Sequence, residues 1–330
     1  MGALLEVKDL TVEWYTPEGY IRAVDGVSFS LNEGEVVGLV GESGAGKSSI
    51  AQAILGLVRS PHKVSGRIIY KGRDVLKLTE QELTEYRWKA VSVVFQAAMN
   101  VLDPVQTVEE NFYTLLKDKG VVKDKKENRE KVLELLKKVR LPPHVAKLYP
   151  HQLSGGMKQR VVIAMAIATN PDILIADEPT TALDVITQFS ILDLLRSLVD
   201  SRTIRSMLLI SHDLSVHAYV SDKIMVMYRG TIVEKGKKED VLKTPLHPYS
   251  QLLVSNISIE SKGLRHINYG DVSARSLTMS YKGGCAFAAM CPYATTTCMK
   301  MRPPLIEVDK DHDVACFLYG AKRGPQGVIK

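Results

Sequence analysis

At 330 residues and 45% hydrophobic content, the chain can bury a full α/β core and still carry a smaller second unit. Its longest apolar runs, such as residues 161–168, stop far short of the roughly 20 residues a membrane-spanning helix needs, and residues 1–7 lack the features of a secretory signal; a chain that crosses a bilayer by itself is excluded and a cytosolic setting is expected. The net charge of +6 is modest and leaves an acidic ligand, a nucleic acid and an anionic membrane face open, while four cysteines in such a setting are not disulfides by default.

In chain order, residues 35–40 form a short apolar run suited to a buried strand, and residues 47–55 read as a helix start. Between them, Gly41-Glu42-Ser43-Gly44-Ala45-Gly46-Lys47-Ser48 spells G-x-x-x-x-G-K-[ST] in the strand-to-helix setting that makes it a phosphate-binding loop. Its glycines let successive backbone N–H groups turn onto phosphate oxygens. The helix N-terminus adds partial positive charge, Lys47 adds a full one, and the Ser48 hydroxyl suits Mg²⁺. A bound Mg-nucleotide is expected. Kinases, GTPases, motor ATPases and transporter ATPases all remain open at this point.

Residues 91–95 read as a strand running into Gln96. From 117 to 140, Lys and Arg outnumber Asp and Glu two to one, while Val132, Leu133, Leu135, Leu136 and Val139 keep an apolar stripe at helical spacing. No aromatic residue interleaves these charges, so the stretch reads as the solvated face of an amphipathic helix and not as a nucleic-acid patch. Further on, Ser154 is a good N-cap for a helix of small and apolar residues that begins at Gly155-Gly156-Met157, a second helix N-terminus able to bind an anion. Residues 173–176 form another buried strand, ending in Asp177 and Glu178. Beside a phosphate-binding loop, Asp177 suits Mg²⁺ and Glu178 suits the water that attacks the γ-phosphate. Taken alone, the pair fits an ordinary acidic strand-to-turn junction before Pro179 equally well. Residues 207–211 make a third such strand, followed by His212.

Leu153-Ser154-Gly155-Gly156-Met157, just before an Asp-Glu strand, resembles the signature motif of ATP-binding cassette ATPases. Gln96 resembles that family's Q-loop glutamine, Thr181-Ala182-Leu183-Asp184 its D-loop, His212 its switch histidine, and Trp14, ahead of Tyr15, the aromatic residue that stacks on adenine. The resemblance spans roughly residues 4 to 260. It implies an α/β P-loop NTPase with a RecA-like core, an antiparallel β subdomain and an α-helical subdomain at about 97–166. The ATPase domain would cover 1–245 and a small C-terminal domain 246–330.

The resemblance also implies the site. ATP would be held by Trp14, Gly41, Ser43, Gly44, Gly46, Lys47, Ser48, Ser49 and Gln96, and Mg²⁺ by Ser48, Gln96 and Asp177. Glu178, His212 and Gln96 would be catalytic. Two such domains would meet head to tail, so that Ser154, Gly155, Gly156 and Asp184 act on the nucleotide of a homologous ATPase subunit, in this branch usually a different gene product. Residues 97–104 would receive a coupling helix from one of two transmembrane permease subunits, although their apolar members suit a buried core equally. The protein would then sit at the cytoplasmic face of the membrane.

Thr244-Pro245-Leu246-His247-Pro248-Tyr249 reads as a boundary and resembles the Pro-x-His-Pro-Tyr element of oligopeptide, dipeptide and nickel importers. All four cysteines follow it: Cys285, Cys291, Cys298 and Cys316. Their confinement to one segment points to one metal site, while their spacing matches neither paired zinc ligands nor a ferredoxin motif and selects no metal. With His312, the segment resembles the C-terminal region of the peptide importer ATPases, which implies a 4Fe-4S cluster held by the four thiolates. Peptide uptake, with a solute-binding protein acting indirectly, is the expectation. Oligosaccharide import within the same branch and a soluble nucleic-acid-associated cassette ATPase stand as alternatives; the single cassette weighs against nucleic acid as a partner.

Overall fold

In the computed structural model of the chain, residues 2–96, 101–257 and 283–320 are described. The expectation for residues 97–100 as part of a coupling surface lies outside them, as do residues 258–282 and 321–330 of the C-terminal segment.

A four-stranded antiparallel sheet is ordered β2-β1-β4-β5, with β1 at Leu5–Thr16, β2 at Gly19–Leu31, β4 at Lys63–Tyr70 and the short β5 at Arg73–Asp74. Leu5 and Val7 are buried and, past a bulge, so are Leu10 and Val12, the alternation of a sheet with one covered face. The larger sheet is ordered β11-β12-β10-β9-β3-β8-β7-β6. Its parallel strands are β3 (Val36–Val40), β6 (Val91–Val94), β7 (Ile173–Asp177), β8 (Ser206–Ser211) and β9 (Lys223–Tyr228). Every residue of β3, β7 and β8 is buried, because helices cover both faces, and this is why they stand out as unbroken apolar runs.

The helix α1 (Lys47–Ile54) leaves the phosphate-binding loop, and α2 (Glu80–Lys89) leads into β6. A helical layer follows in α3 (Val108–Asp118), α4 (Lys125–Lys138) and α5 (Gly155–Ala166), packed around Phe112, Leu116, Val132, Leu135 and Leu136. The basic stretch is thus split between two helices: α3 stops at Asp118, and Asp124 caps α4 by accepting the N–H groups of Lys126 and Glu127. Val132, Leu135, Leu136 and Val139 are buried, as an amphipathic face requires. Next come α6 (Val185–Asp200), α7 (Leu214–Val220), α8 (Lys238–Lys243) and α9 (Pro248–Ile257). No helix among the described residues is long and apolar enough to cross a membrane.

The proline-punctuated break separates α8 from α9, yet the C-terminal residues rejoin the main sheet. The strand β10 (Thr231–Lys237) pairs antiparallel with β9 and with β12 (His312–Val314), which in turn pairs with β11 (Ile306–Asp309). Glu234, fully buried on β10, fastens the junction: its carboxylate accepts the N–H groups of Leu246 at 2.9 Å and His247 at 2.7 Å and lies 2.8 Å from His312 Nε2.

Two other histidines are buried without a carboxylate. His217 lies against β3, where a Cβ on Gly38 would overlap its ring, and His247 accepts the Tyr249 N–H at 3.0 Å. Burial pushes His217 down to about 4 and His247 down to about 3. Both stay neutral while the unfolded chain protonates its histidines near 6.5, so stability present above that pH is lost as pH falls toward 4 and then 3. Fully developed, the loss is about 3 kcal/mol for His217 and about 5 kcal/mol for His247. His312, held up by Glu234, acts in the opposite sense and loses its part as pH rises. Urea unfolding at pH 7.5 and 5 is expected to show the acid-side loss, reduced in His217→Gln; equal stability at both pH values in the parent chain would contradict it.

Candidate nucleotide-binding site

The C-terminal ends of β3, β6, β7 and β8 share one edge of the sheet, and the motif residues gather there. Gly46, the N-cap of α1, has φ 104°, and a Cβ on it would overlap the Ala23 carbonyl oxygen, so only glycine closes the loop. Lys47 is 7% exposed and donates to the carbonyls of Gly41 at 2.7 Å and Glu42 at 2.9 Å. Burial lowers its pKa, while the charges of Glu178, Asp177 and Glu42 oppose the shift. The ammonium is therefore held within the loop by acceptors that a triphosphate can replace.

The Ser48 hydroxyl donates to the Asp177 carboxylate, which burial pushes above the usual carboxylate range. A hydroxyl and a poorly solvated carboxylate side by side form an oxygen donor set that fits a largely hydrated Mg²⁺. Glu178, next along the chain, has φ 51°, an uncommon conformation for a non-glycine residue, and its N–H bonds the Ile210 carbonyl at 2.9 Å. Its carboxylate accepts the His212 N–H at 2.9 Å and lies 2.8 Å from His212 Nδ1. The imidazole is 65% exposed, so its other nitrogen remains available to a ligand. Gln96 is exposed just past β6, on the same edge.

Trp14 and Tyr15 alternate along β1, and their surroundings separate them. The half-buried Trp14 donates its indole N–H to Ser49 Oγ at 2.9 Å, anchoring the ring to the first turn of α1, whereas Tyr15 is 50% exposed and packs edge-on against Tyr20. The Trp14 ring also meets His62 at 4.5 Å, and His62 Nδ1 accepts the Tyr15 N–H at 3.1 Å. His62 carries no motif signal; only the pairing of β1 with β4 brings it here.

Ser154 caps α5 by accepting the Met157 N–H at 3.3 Å, and Asp184 caps α6 by accepting the Thr187 N–H at 3.0 Å and its hydroxyl at 2.6 Å. A Cβ on Gly156 would meet the Thr187 methyl at 2.6 Å, so the two helix starts pack together with Ser154, Gly155 and Asp184 exposed. Among the described residues, no hydrogen bond or ion pair joins them to Lys47, Ser48, Asp177 or Glu178. They form a separate surface of the same chain.

Cys285, Cys291, Cys298 and Cys316 all line one cavity of about 360 Å³, together with His247, Pro248 and Phe287. All four are free thiols. Burial and mutual repulsion raise Cys285 and Cys291 and take Cys316 to about 11, so these three favour neutral thiols unless a cationic group enters. Among the described residues, no three His, Cys, Asp or Glu side chains close around a single metal ion. The four cysteines thus share one cavity, and no ready-made single-ion site accompanies it among the described residues.

Residues 24–181 match the ABC transporter family, and residues 233–298 match the oligopeptide/dipeptide transporter C-terminal region. The dipeptide transport ATP-binding protein DppD of Caldanaerobacter subterraneus subsp. tengcongensis is 40% identical over 321 residues, 97% of this chain and 98% of that protein. The chain belongs to the ATP-binding proteins of the ABC peptide transporters. It is also 40% identical to the oligopeptide transport ATP-binding protein OppD of Escherichia coli over 319 residues, covering 96% of this chain and 93% of that one. The cassette MJ0796, solved as a post-hydrolysis dimer with ADP and Pi, superposes with a TM-score of 0.62 at 32% identity, over 71% of this chain and 98% of that one.

As an ABC ATPase, the chain has the expected cassette fold and ATP-binding function. Its geometry brings Lys47, Ser48, Asp177, Glu178 and His212 together and leaves Ser154, Gly155, Gly156 and Asp184 apart. Ser49 turns out to be tied to Trp14.

Proposed function

We propose that this ATPase drives uptake of di- and oligopeptides through two membrane permease subunits, working at the cytoplasmic face with a homologous ATPase subunit. What carries the reading is the convergence of Lys47, Ser48 and Asp177 with the Glu178–His212 pair on one sheet edge, in a chain that its peptide-transport relatives match almost end to end. Trp14 stacks on adenine. Lys47 moves from its loop carbonyls to phosphate oxygens, and the loop amides around Gly41, Ser43, Gly44 and Gly46 cradle the remainder. Ser48, Asp177 and Gln96 would hold Mg²⁺, which neutralises phosphate charge when bound. Glu178 orients the attacking water and steadies His212 against the γ-phosphate. Ser154, Gly155, Gly156 and Asp184 complete the partner's site, so an isolated subunit hydrolyses slowly.

We further place a 4Fe-4S cluster in the cysteine cavity, as a staple for the C-terminal residues. What supports the reading is that all four thiols line one cavity, the number of thiolates that a 4Fe-4S cluster takes.

The function is tested by uptake of labelled dipeptide in cells expressing the chain with its permeases. Lys47→Ala is expected to abolish accumulation. Transport of an oligosaccharide and no peptide by the intact system would overturn the substrate.

A further inference from the structure

We propose that Tyr249 is a positioning residue of the phosphate-binding loop, through which the state of the cysteine cavity sets the affinity for MgATP. This rests on the nucleotide-site reading above and adds to it a residue that no loop motif contains.

Tyr249 is fully buried near the start of α9, and its hydroxyl accepts the backbone N–H of Glu42 at 3.3 Å. Glu42 belongs to the phosphate-binding loop, and its carbonyl is one of the two that hold Lys47. Tyr249 and Lys47 therefore grip the two polar ends of the same residue. The adjoining peptide has little freedom, since a Cβ on Gly41 would overlap the Met227 carbonyl at the end of β9. A shift of the Tyr249 ring must move the Glu42 peptide or break its hydrogen bond.

The other side of Tyr249 faces the cysteines. Its ring lies 4.5 Å from Tyr228 and 5.5 Å from Phe287, and those two rings meet edge-on at 5.4 Å. Phe287 stands between Cys285 and Cys291 in the chain, takes the Cys291 N–H on its carbonyl at 3.0 Å, and lines the cavity. His247 and Pro248, the residues preceding Tyr249, line it too. The Tyr228 hydroxyl also reaches Met290 Sδ at 3.5 Å, tying the segment just before Cys291 to the same cluster. A close-packed aromatic group has preferred geometries and transmits displacement, so the path from thiols through Phe287 and Tyr249 to the Glu42 amide contains no slack residue.

The test uses the full-length chain. Tyr249→Phe keeps the ring and removes only the hydroxyl, and is expected to weaken MgATP binding roughly three- to tenfold, the worth of one net hydrogen bond. It should also speed amide hydrogen exchange in the segment around Glu42 without a matching change in the helical layer. Because the chain has no other cysteines, removal of bound metal and alkylation with N-ethylmaleimide, confirmed by mass at all four sites, perturbs this cavity alone. Alkylation is expected to weaken MgATP binding severalfold in the parent chain and less than twofold in Tyr249→Phe, the non-additivity of a shared path. Unchanged affinity and exchange in Tyr249→Phe, or equal losses on alkylation in both backgrounds, would overturn the proposal. Lys47→Ala separates the two readings. If it binds MgATP normally, the nucleotide site itself is misassigned; if it loses binding while Tyr249→Phe does not, only the role of Tyr249 falls.

Discussion

Replacing Glu178 by Gln is expected to lower steady-state ATP hydrolysis at least about a hundredfold while leaving MgATP affinity within about twofold. The amide retains an oxygen that can accept the His212 N–H, so the local hydrogen bonding survives, but it can no longer take a proton from water. The substitution also removes a negative charge near Lys47, which favours retention of the nucleotide over its release. ATP-bound dimers should therefore accumulate, visible by size-exclusion chromatography in MgATP. Undiminished turnover would remove Glu178 from the catalytic role.

The second large effect concerns the cysteines. With the proposed cluster in place, the purified protein is expected to be brown and to carry about four iron atoms per chain, and Cys298→Ser to abolish the colour, remove nearly all the iron and make the C-terminal residues protease-sensitive. Loss of colour and loss of order should coincide, because the Cys298 carbonyl also accepts the Cys285 N–H at 2.7 Å and the two ends of the cavity wall meet there. A colourless chain purified anaerobically with one zinc would reject the cluster.

What could be read beforehand was local. The loop at 41–48 shows because glycines and a lysine must occupy fixed offsets along one turn of backbone, and β3, β7 and β8 show because strands covered on both faces admit few polar residues. The split of the basic stretch was masked by the run of Lys and Glu on both sides of it; what ends the first helix is Gly120, left-handed at φ 65° with the Val121 N–H returned to the Leu116 carbonyl, and Asp124 then caps the next. Contacts over long sequence separations left no mark. Trp14 reaching Ser49, His62 reaching Trp14, and Tyr249 reaching Glu42 join residues whose spacing carries no periodicity, and only the tertiary packing brings them together. The Pro-x-His-Pro-Tyr element was visible as a boundary and a resemblance, and its hydrogen bond to the loop was not.

Glu234 limits how this protein can be dissected. Cutting at the proline break would remove the Leu246 and His247 amides and His312 together, leaving on β10 a carboxylate built for burial with none of these partners. It would also strip β12 from β10 and expose a strand edge open to intermolecular pairing. The shortest fragment that keeps the sheet intact runs to the end of β12 and already carries Cys285, Cys291 and Cys298, so the catalytic unit cannot be separated cleanly from its cysteine-bearing extension.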